Sequence, residues 1–322
     1  MKERDWRIFK EDFNITTKGG NIPNPIRSWK ESNLPKSILS IIKEIGYDEP
    51  TPIQKQAIPI ELENRDIIGV AETGSGKTAS FIIPMLVYIS HLPPLTEDNM
   101  ADGPYALILA PTRELVQQIE EEAVKFAKPL GYNCVSLVGG HAVEGQAFNL
   151  RNGAEIVMAT PGRLKDCLDN RILVLSQCTY VVMDEADRMI DMGFEADVNF
   201  ILDQLPVSNI KPDTDESENT LTNRVNKTLY RQTVMFSATM PPAVERLAKK
   251  WFFIYLFIYL YLFIHSFINL FIYSFINLFI YSFINFNRYL RRPAIVNIGN
   301  VGQAVDTVEQ IVEFINDDNR KR

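Results

Sequence analysis

Cysteine and histidine are both scarce in this chain, three of each among 322 residues. Cys134, Cys167 and Cys178 are odd in number and lack CxxC spacing. That excludes a disulfide scaffold or zinc ribbon and fits a reduced intracellular protein. His91, His141 and His265 are scattered without metal-ligand spacing and read as loop or core residues. An excess of positive charge is missing too. With 33 Lys and Arg against 40 Asp and Glu, the formal net charge is −7. Any nucleic-acid binding must therefore rest on a local basic face. No apolar leader is expected, because Met1-Lys2-Glu3-Arg4-Asp5-Trp6 is charged.

What the chain does contain is Ala71-Glu72-Thr73-Gly74-Ser75-Gly76-Lys77-Thr78, a phosphate-binding loop. Gly74 and Gly76 let backbone N–H groups come close to phosphate oxygens, and a helix opening near Lys77 adds the positive end of its dipole. Lys77 suits the β- and γ-phosphates, and the Thr78 hydroxyl suits Mg²⁺. The general motif has Gly where this chain has Ala71, so that residue should keep an ordinary negative φ. Further on, Tyr180-Val181-Val182-Met183 reads as a buried strand ending in Asp184-Glu185-Ala186-Asp187. Ligand sites of parallel α/β sheets lie at such carboxyl ends. Asp184 then suits Mg²⁺ and Glu185 the attacking water. Few other uses of a chain need both halves.

Strands are expected at 67–70, 106–110, 135–138, 156–159, 181–184 and 233–237. Helices are expected at 77–89, 114–128, 163–169, 195–205 and 242–250. The alternation argues for an α/β fold, a parallel sheet with helices on both faces. Residues 1–28 read as an extended, Pro- and Gly-punctuated arm, and 211–224 as a polar solvated loop. Two strand-to-helix junctions, Pro111-Thr112-Arg113-Glu114 and Thr160-Pro161-Gly162-Arg163, each present free backbone N–H groups and an Arg. That suits the phosphates of a nucleic-acid backbone, which position a strand without reading bases. Either Arg alone would read as a cap or salt-bridge residue. Two such junctions beside a nucleotide site favour the phosphate reading.

With these residues placed, the chain resembles the DEAD-box ATP-dependent RNA helicases over about residues 29–250. Seven family motifs appear in order. Gly46-Tyr47-Asp48-Glu49-Pro50-Thr51-Pro52-Ile53-Gln54 matches the Q motif, with Trp29 at its upstream aromatic position. The resemblance implies that Gln54 reads the adenine edge and that Trp29 supports the base. It implies RNA contacts at Pro111-Thr112-Arg113, at Gly139-Gly140 and at Thr160-Pro161-Gly162-Arg163. It implies that Ser237-Ala238-Thr239, with Asp187, couples hydrolysis to strand separation. It also implies a RecA-like fold, ATP and Mg²⁺ as cofactors, and RNA as partner. Residues 18–29 and 184–195 look most similar to the spliceosomal subfamily, which implies ribonucleoprotein partners and a nuclear location.

Residues 251–288 break the pattern. Of these 38 residues, 29 are Phe, Ile, Leu, Tyr or Trp, and residues 267–274 and 275–282 are identical copies of FINLFIYS. Three readings stand. The 13 Leu, Ile and Phe residues of 252–270 would favour membrane insertion by about −6 kcal/mol before polar penalties, which would make the chain a membrane-anchored NTPase. The aromatic and β-branched composition, free of Pro, would also suit zipper-prone strands. A repeat of eight residues with A/T-rich codons would arise from a translated intron or simple-sequence repeat, the reading favoured here. Residues 289–322 then read as the truncated start of a second RecA-like domain, with Val308-Glu309-Gln310 at its entry. Such domains carry arginine fingers, but no HRxGRxxR or ARGxD stretch occurs in this sequence. The expectation is a helicase fragment that binds ATP and RNA with little turnover. Removing residues 251–288 should raise soluble yield sharply, since so much exposed apolar surface is foreign to a soluble monomer. Nucleotide affinity, measured by titration, should stay within about twofold, or ~0.4 kcal/mol. Loss of binding would show instead that the segment belongs to the core.

Overall fold

The runs Ile67–Val70, Ala106–Leu109 and Ile156–Ala159 carry no polar side chain, and each forms a strand buried at every position. Strands of this kind need cover on both faces, which a parallel sheet receives from its crossover helices. The structure, a computed structural model, describes residues 1–140, 150, 152–206, 230–249, 290 and 293–299. The expectations for 211–224, for 251–288 and for the domain entry at 308–310 lie outside these residues.

The strands are β1 (Ile15–Lys18), β2 (Ile67–Val70), β3 (Ala106–Leu109), β4 (Cys134–Leu137), β5 (Ile156–Ala159), β6 (Tyr180–Met183), β7 (Gln232–Ser237) and β8 (Ala294–Ile298). They form one sheet in the order β1-β8-β2-β7-β6-β3-β5-β4. Every neighbouring pair is parallel except β1 with β8. The helices are α1 (Glu3–Asp12), α2 (Lys36–Ile45), α3 (Pro52–Leu62), α4 (Lys77–Ile89), α5 (Arg113–Ala127), α6 (Pro161–Asp169), α7 (Ala186–Asp191), α8 (Glu195–Asp203) and α9 (Pro242–Lys249).

Two apolar clusters lie on opposite faces. Ala106 and Ile108 of β3 join α2 to α5 in one, while Leu107 and Leu109 join α6 to α9 in the other. This division follows from right-handed crossovers. The chain winds from β2 toward β4 through α4 and α5, then returns from β5 to β7 through α6, α7 and α8, so the returning helices fall on the other face. Gly69 has a specific packing reason. A Cβ there would lie 2.3 Å from the Phe236 ring, so only glycine lets that ring cross β2.

Two expectations need correction. The arm 1–28 is not extended throughout. Trp6, Phe9 and Phe13 recur on one side of α1, where their rings meet in sequence, with centroids 5.9 and 4.8 Å apart. Ile15-Thr16-Thr17-Lys18 then pairs with β8. Nor does the sheet end by residue 250. Residues 294–298, expected to begin a second domain, insert between β1 and β2 and bury Ala294 and Val296 in the first cluster. Among the described residues no helix is long and apolar enough to cross a membrane.

Away from the carboxyl edge, Glu61 at the end of α3 is only 1% exposed. It accepts a 2.6 Å hydrogen bond from the Tyr180 hydroxyl, while its Oε1 has no partner among the described residues. Burial pushes its pKa well above the usual carboxylate range, and the Tyr180 bond offsets only part of that. A carboxyl group so raised adds stability below its unfolded pKa and loses it as pH rises through the folded value. Glu61→Gln should therefore stabilise the protein more at pH 8 than at pH 5, as read by thermal melts; an unchanged difference would contradict the buried acid. The placement of β8 gives a second expectation. Ending the chain at Lys249 should cost about 3 kcal/mol or more in denaturant unfolding, because the burial of Leu290 and Val296 is lost. Removing residues 251–288 alone should not.

Candidate functional site: the carboxyl edge of the sheet

The parallel strands all end at one edge, and the loops leaving them follow the strand order. After β2, β7 and β6 come the Ala71–Thr78 loop, Ser237-Ala238-Thr239 and Asp184-Glu185-Ala186-Asp187. After β3, β5 and β4 come Pro111-Thr112-Arg113, Thr160-Pro161-Gly162-Arg163 and Gly139-Gly140. The three nucleotide-type loops are thus neighbours, and so are the three backbone-phosphate-type loops.

In the phosphate loop, positive φ falls on Gly74 (83°) and Gly76 (91°), and Ala71 keeps an ordinary negative φ as expected. Glu72, Thr73 and Gly74 are exposed, Ser75 and Thr78 half-buried. The Ser75 hydroxyl donates to the Glu72 carbonyl at 2.7 Å and fixes the turn. Lys77 is buried, and its Nζ donates to the Ala71 carbonyl at 3.0 Å. Gln54 braces the loop from below. Its Nε2 donates to the Gly76 carbonyl at 3.0 Å, and its Oε1 accepts from the Thr51 N–H at 2.9 Å. A Cβ on Gly76 would meet Gln54 Nε2 and Thr51 Oγ1, both at 2.8 Å. Thr51 is therefore part of this frame, although sequence reading gave it no site role. Trp29, at 7% exposure, packs in the same apolar cluster as Ile38, Ile53 and Ala57.

On β6 and β7 the groups are tied to each other. The Ala71 N–H donates to the Ser237 carbonyl at 3.1 Å. The Ser237 hydroxyl accepts from the Asp187 N–H at 3.3 Å, and Asp187 Oδ2 accepts from the Thr239 N–H (2.9 Å) and hydroxyl (2.6 Å). Burial alone would raise the Asp187 pKa, but the hydrogen bonds from Thr239 and Ser237 outweigh it and hold the group below its usual value. Asp184 is 2% exposed. Burial pushes it up to about 6, the nearby Lys77 charge pulls it back, and Glu185 raises it again. Glu185 takes a left-handed backbone (φ 50°) at the start of α7, unusual for a residue with a side chain.

At the other end of the row, the Thr112 hydroxyl caps α5 by accepting from the Leu115 N–H at 3.2 Å. A Cβ on Gly140 would lie 2.4 Å from the Arg113 guanidinium, so these two motifs are in contact, and the positive φ of Gly140 (84°) favours glycine there. Arg163 Nε donates to the Val138 carbonyl at 3.2 Å, which joins the third motif to the strand end before Gly139. Pro161 opens α6. Gly162 is half-buried, and the nearest atom to an added Cβ there is in the Phe194 ring at 3.9 Å. Among the described residues no group of three or more His, Cys, Asp or Glu is placed to hold a metal ion.

The DEAD/DEAH box helicase family matches residues 51–247. Over its whole length the chain is 61% identical to the pre-mRNA-splicing ATP-dependent RNA helicase PRP28 of Gibberella zeae, covering 40% of it, and to its Neurospora crassa counterpart, covering 39%. Among solved structures, the RNA helicase Prp28 of Chaetomium thermophilum bound to ADP is 54% identical with a TM-score of 0.67, over 99% of this chain and 61% of that one. The yeast DEAD-box splicing factor Prp28 gives 38% and 0.72, over 94% and 58%. The chain thus spans about 40% of the length of these curated relatives.

Gly76→Ala tests the frame directly. The added methyl meets Gln54 and Thr51 in a left-handed conformation that costs a non-glycine residue about 1–2 kcal/mol. Nucleotide affinity is expected to fall at least about tenfold, measured by titration with labelled ADP.

Proposed function

Because the chain belongs to the DEAD/DEAH box helicase family, we propose that it is the ATP- and RNA-binding first half of an ATP-dependent RNA helicase acting in pre-mRNA splicing. The supporting observation is the single row of six loops, three suited to a nucleoside triphosphate beside three suited to a nucleic-acid backbone. Its relatives are pre-mRNA-splicing helicases, and one related structure holds ADP. On this reading the protein works in the nucleus with spliceosomal ribonucleoproteins.

Backbone N–H groups of residues 72–78 and the Lys77 ammonium hold the phosphates. For this Lys77 exchanges the Ala71 carbonyl for a stronger, charged partner. Gln54, fixed by Thr51 and Gly76, presents its amide on the adenine side, with Trp29 behind it. Thr78 and Asp184 fit Mg²⁺, since both offer hard oxygen ligands and Asp184 is a buried carboxylate whose charge needs a cation nearby. An ion held there would supply charge neutralisation for the phosphates. Glu185 orients and deprotonates the attacking water. Asp187 and Thr239 carry the state of the nucleotide loops to β7 through the bonds described above. Thr112, Arg113, Gly139, Gly140, Thr160, Pro161, Gly162 and Arg163 hold RNA phosphates and leave the bases unread.

A second reading is a non-catalytic binding module. By itself it would bind ATP or single-stranded RNA and compete with a longer helicase. Measurable RNA-stimulated ATPase activity of the purified 322-residue chain would exclude this second reading. Under either reading Lys77→Ala should weaken nucleotide binding by about 1.5–3 kcal/mol, roughly 10–150-fold, in equilibrium titration. Glu185→Gln should retain nucleotide and stop hydrolysis wherever hydrolysis is present. Unchanged binding in Lys77→Ala would remove the phosphate-loop assignment.

A further inference from the structure

The adenine-side loop is fastened at two ends, and its far end reaches the RNA-side helix. Gly46 ends α2 in a left-handed conformation (φ 88°), and the Tyr47 N–H returns to the Ile42 carbonyl at 3.0 Å. The Tyr47 backbone is thereby fixed. Its hydroxyl then donates a hydrogen bond to Glu122 Oε1, a residue of α5 that lies 75 positions away in sequence. Lys125 holds the other oxygen, Oε2, at 2.7 Å. The Tyr47 ring rests against Phe126, centroids 6.1 Å apart, and Phe126 is fully buried. Burial and the neighbouring carboxylate keep the Tyr47 phenol protonated, so it stays a donor.

Beyond Tyr47, Asp48 and Glu49 are exposed and Pro50 is buried, and Thr51 gives its N–H to Gln54. Gln54 in turn holds the Gly76 carbonyl. The loop from 47 to 51 is therefore anchored on α5 at one end and on the phosphate-loop frame at the other. α5 is an apt anchor, since Val116, Ile119, Ala123 and Phe126 bury one side of it in the core. Its first residue, Arg113, packs over Gly140.

We propose that Tyr47 and Glu122 are positioning residues for adenine selectivity: their hydrogen bond fixes the loop that aims Gln54, and it does so from the helix that carries Arg113. The inference rests on the reading of Gln54 as the adenine-side residue. Without this bond the Tyr47 ring still packs on Phe126, so the fold persists while the Gln54 amide gains freedom. Phosphate contacts, set by Lys77 and the glycine turn, are unaffected. The pair should matter for which base is accepted and little for whether a diphosphate binds.

The test is titration of the 322-residue chain with fluorescently labelled ADP and GDP. Tyr47→Phe keeps the ring and removes the hydroxyl; Glu122→Ala removes the acceptor. In each, ADP should bind about fivefold more weakly with GDP changed less than about twofold, and the double variant should be no worse than either single one. Glu122→Gln still offers an acceptor oxygen and should retain most of the ADP preference. An ADP-over-GDP ratio that stays at the wild-type value in Tyr47→Phe and Glu122→Ala overturns the proposal, even if their melting temperatures fall. A wild-type chain that binds neither nucleotide sinks the reading of the site itself, and this inference with it.

Discussion

Seven strands, from β8 to β4, run in one direction, and the arrangement of the site depends on that constraint. Parallel strands cannot be joined by tight turns, so each link must cross a face of the sheet, usually as a helix. The helices cover both faces, and the free polar backbone is confined to the strand ends. At the carboxyl edge, helix N-termini with their unpaired N–H groups converge beside the strand termini. Anion-binding capacity there is a property of the architecture before any side chain is chosen. On the proposed reading the motif residues divide the edge between two ligands, with the Asp187–Ser237–Ala71 bonds tying the nucleotide-type loops to one another.

The strongest elements were legible because local pattern and tertiary demand agreed. Residues 67–70, 156–159 and 77–89 have the bounds expected of them. The strand over 180–183 and the helix over 113–127 were off by one residue, within the fraying expected at element ends. The edge strands were not legible. Ile15-Thr16-Thr17-Lys18 is four residues long with one fully buried, too short for its alternation to stand out. β8 enters the sheet from beyond the apolar repeat, and nothing local in Ala294–Ile298 names β1 and β2 as its neighbours. That register is set by the open edge of β2 and by the space for Val296 among the helices of the first face. Both exist only in three dimensions.

At the carboxyl edge, the motifs disclosed which residues gather there but not how those residues are held. The capping of α5 by Thr112 could be seen only in the structure, whereas the glycine turn and the strand end at Asp184 could be read from order and spacing. The bracing of Gly76 by Gln54, the contact of Arg113 with Gly140 and the bond from Tyr47 to Glu122 could not. The partners are separated by 22 to 75 residues in the bonded cases. Trp29 stands at the distance from the motif that the pattern expects, but its burial depends on neighbours such as Ile38 and Ile53 that the motif does not include.

A net charge of −7 gives RNA no general attraction to this protein, so the proposed RNA binding would rest on basic groups acting locally and in a fixed geometry. Lys77 and Asp184 show how that geometry is kept ready. Lys77 is buried with a neutral carbonyl as its hydrogen-bond acceptor, and Asp184 is buried with its pKa pushed up to about 6. Both charges are less well solvated than they would be in water, a cost borne by the folded protein. A phosphate beside Lys77 and a cation beside Asp184 would relieve both at once. Nucleotide and metal would then bind better together than either alone, and the more tightly the sheet edge fixes these two side chains, the larger that mutual gain becomes.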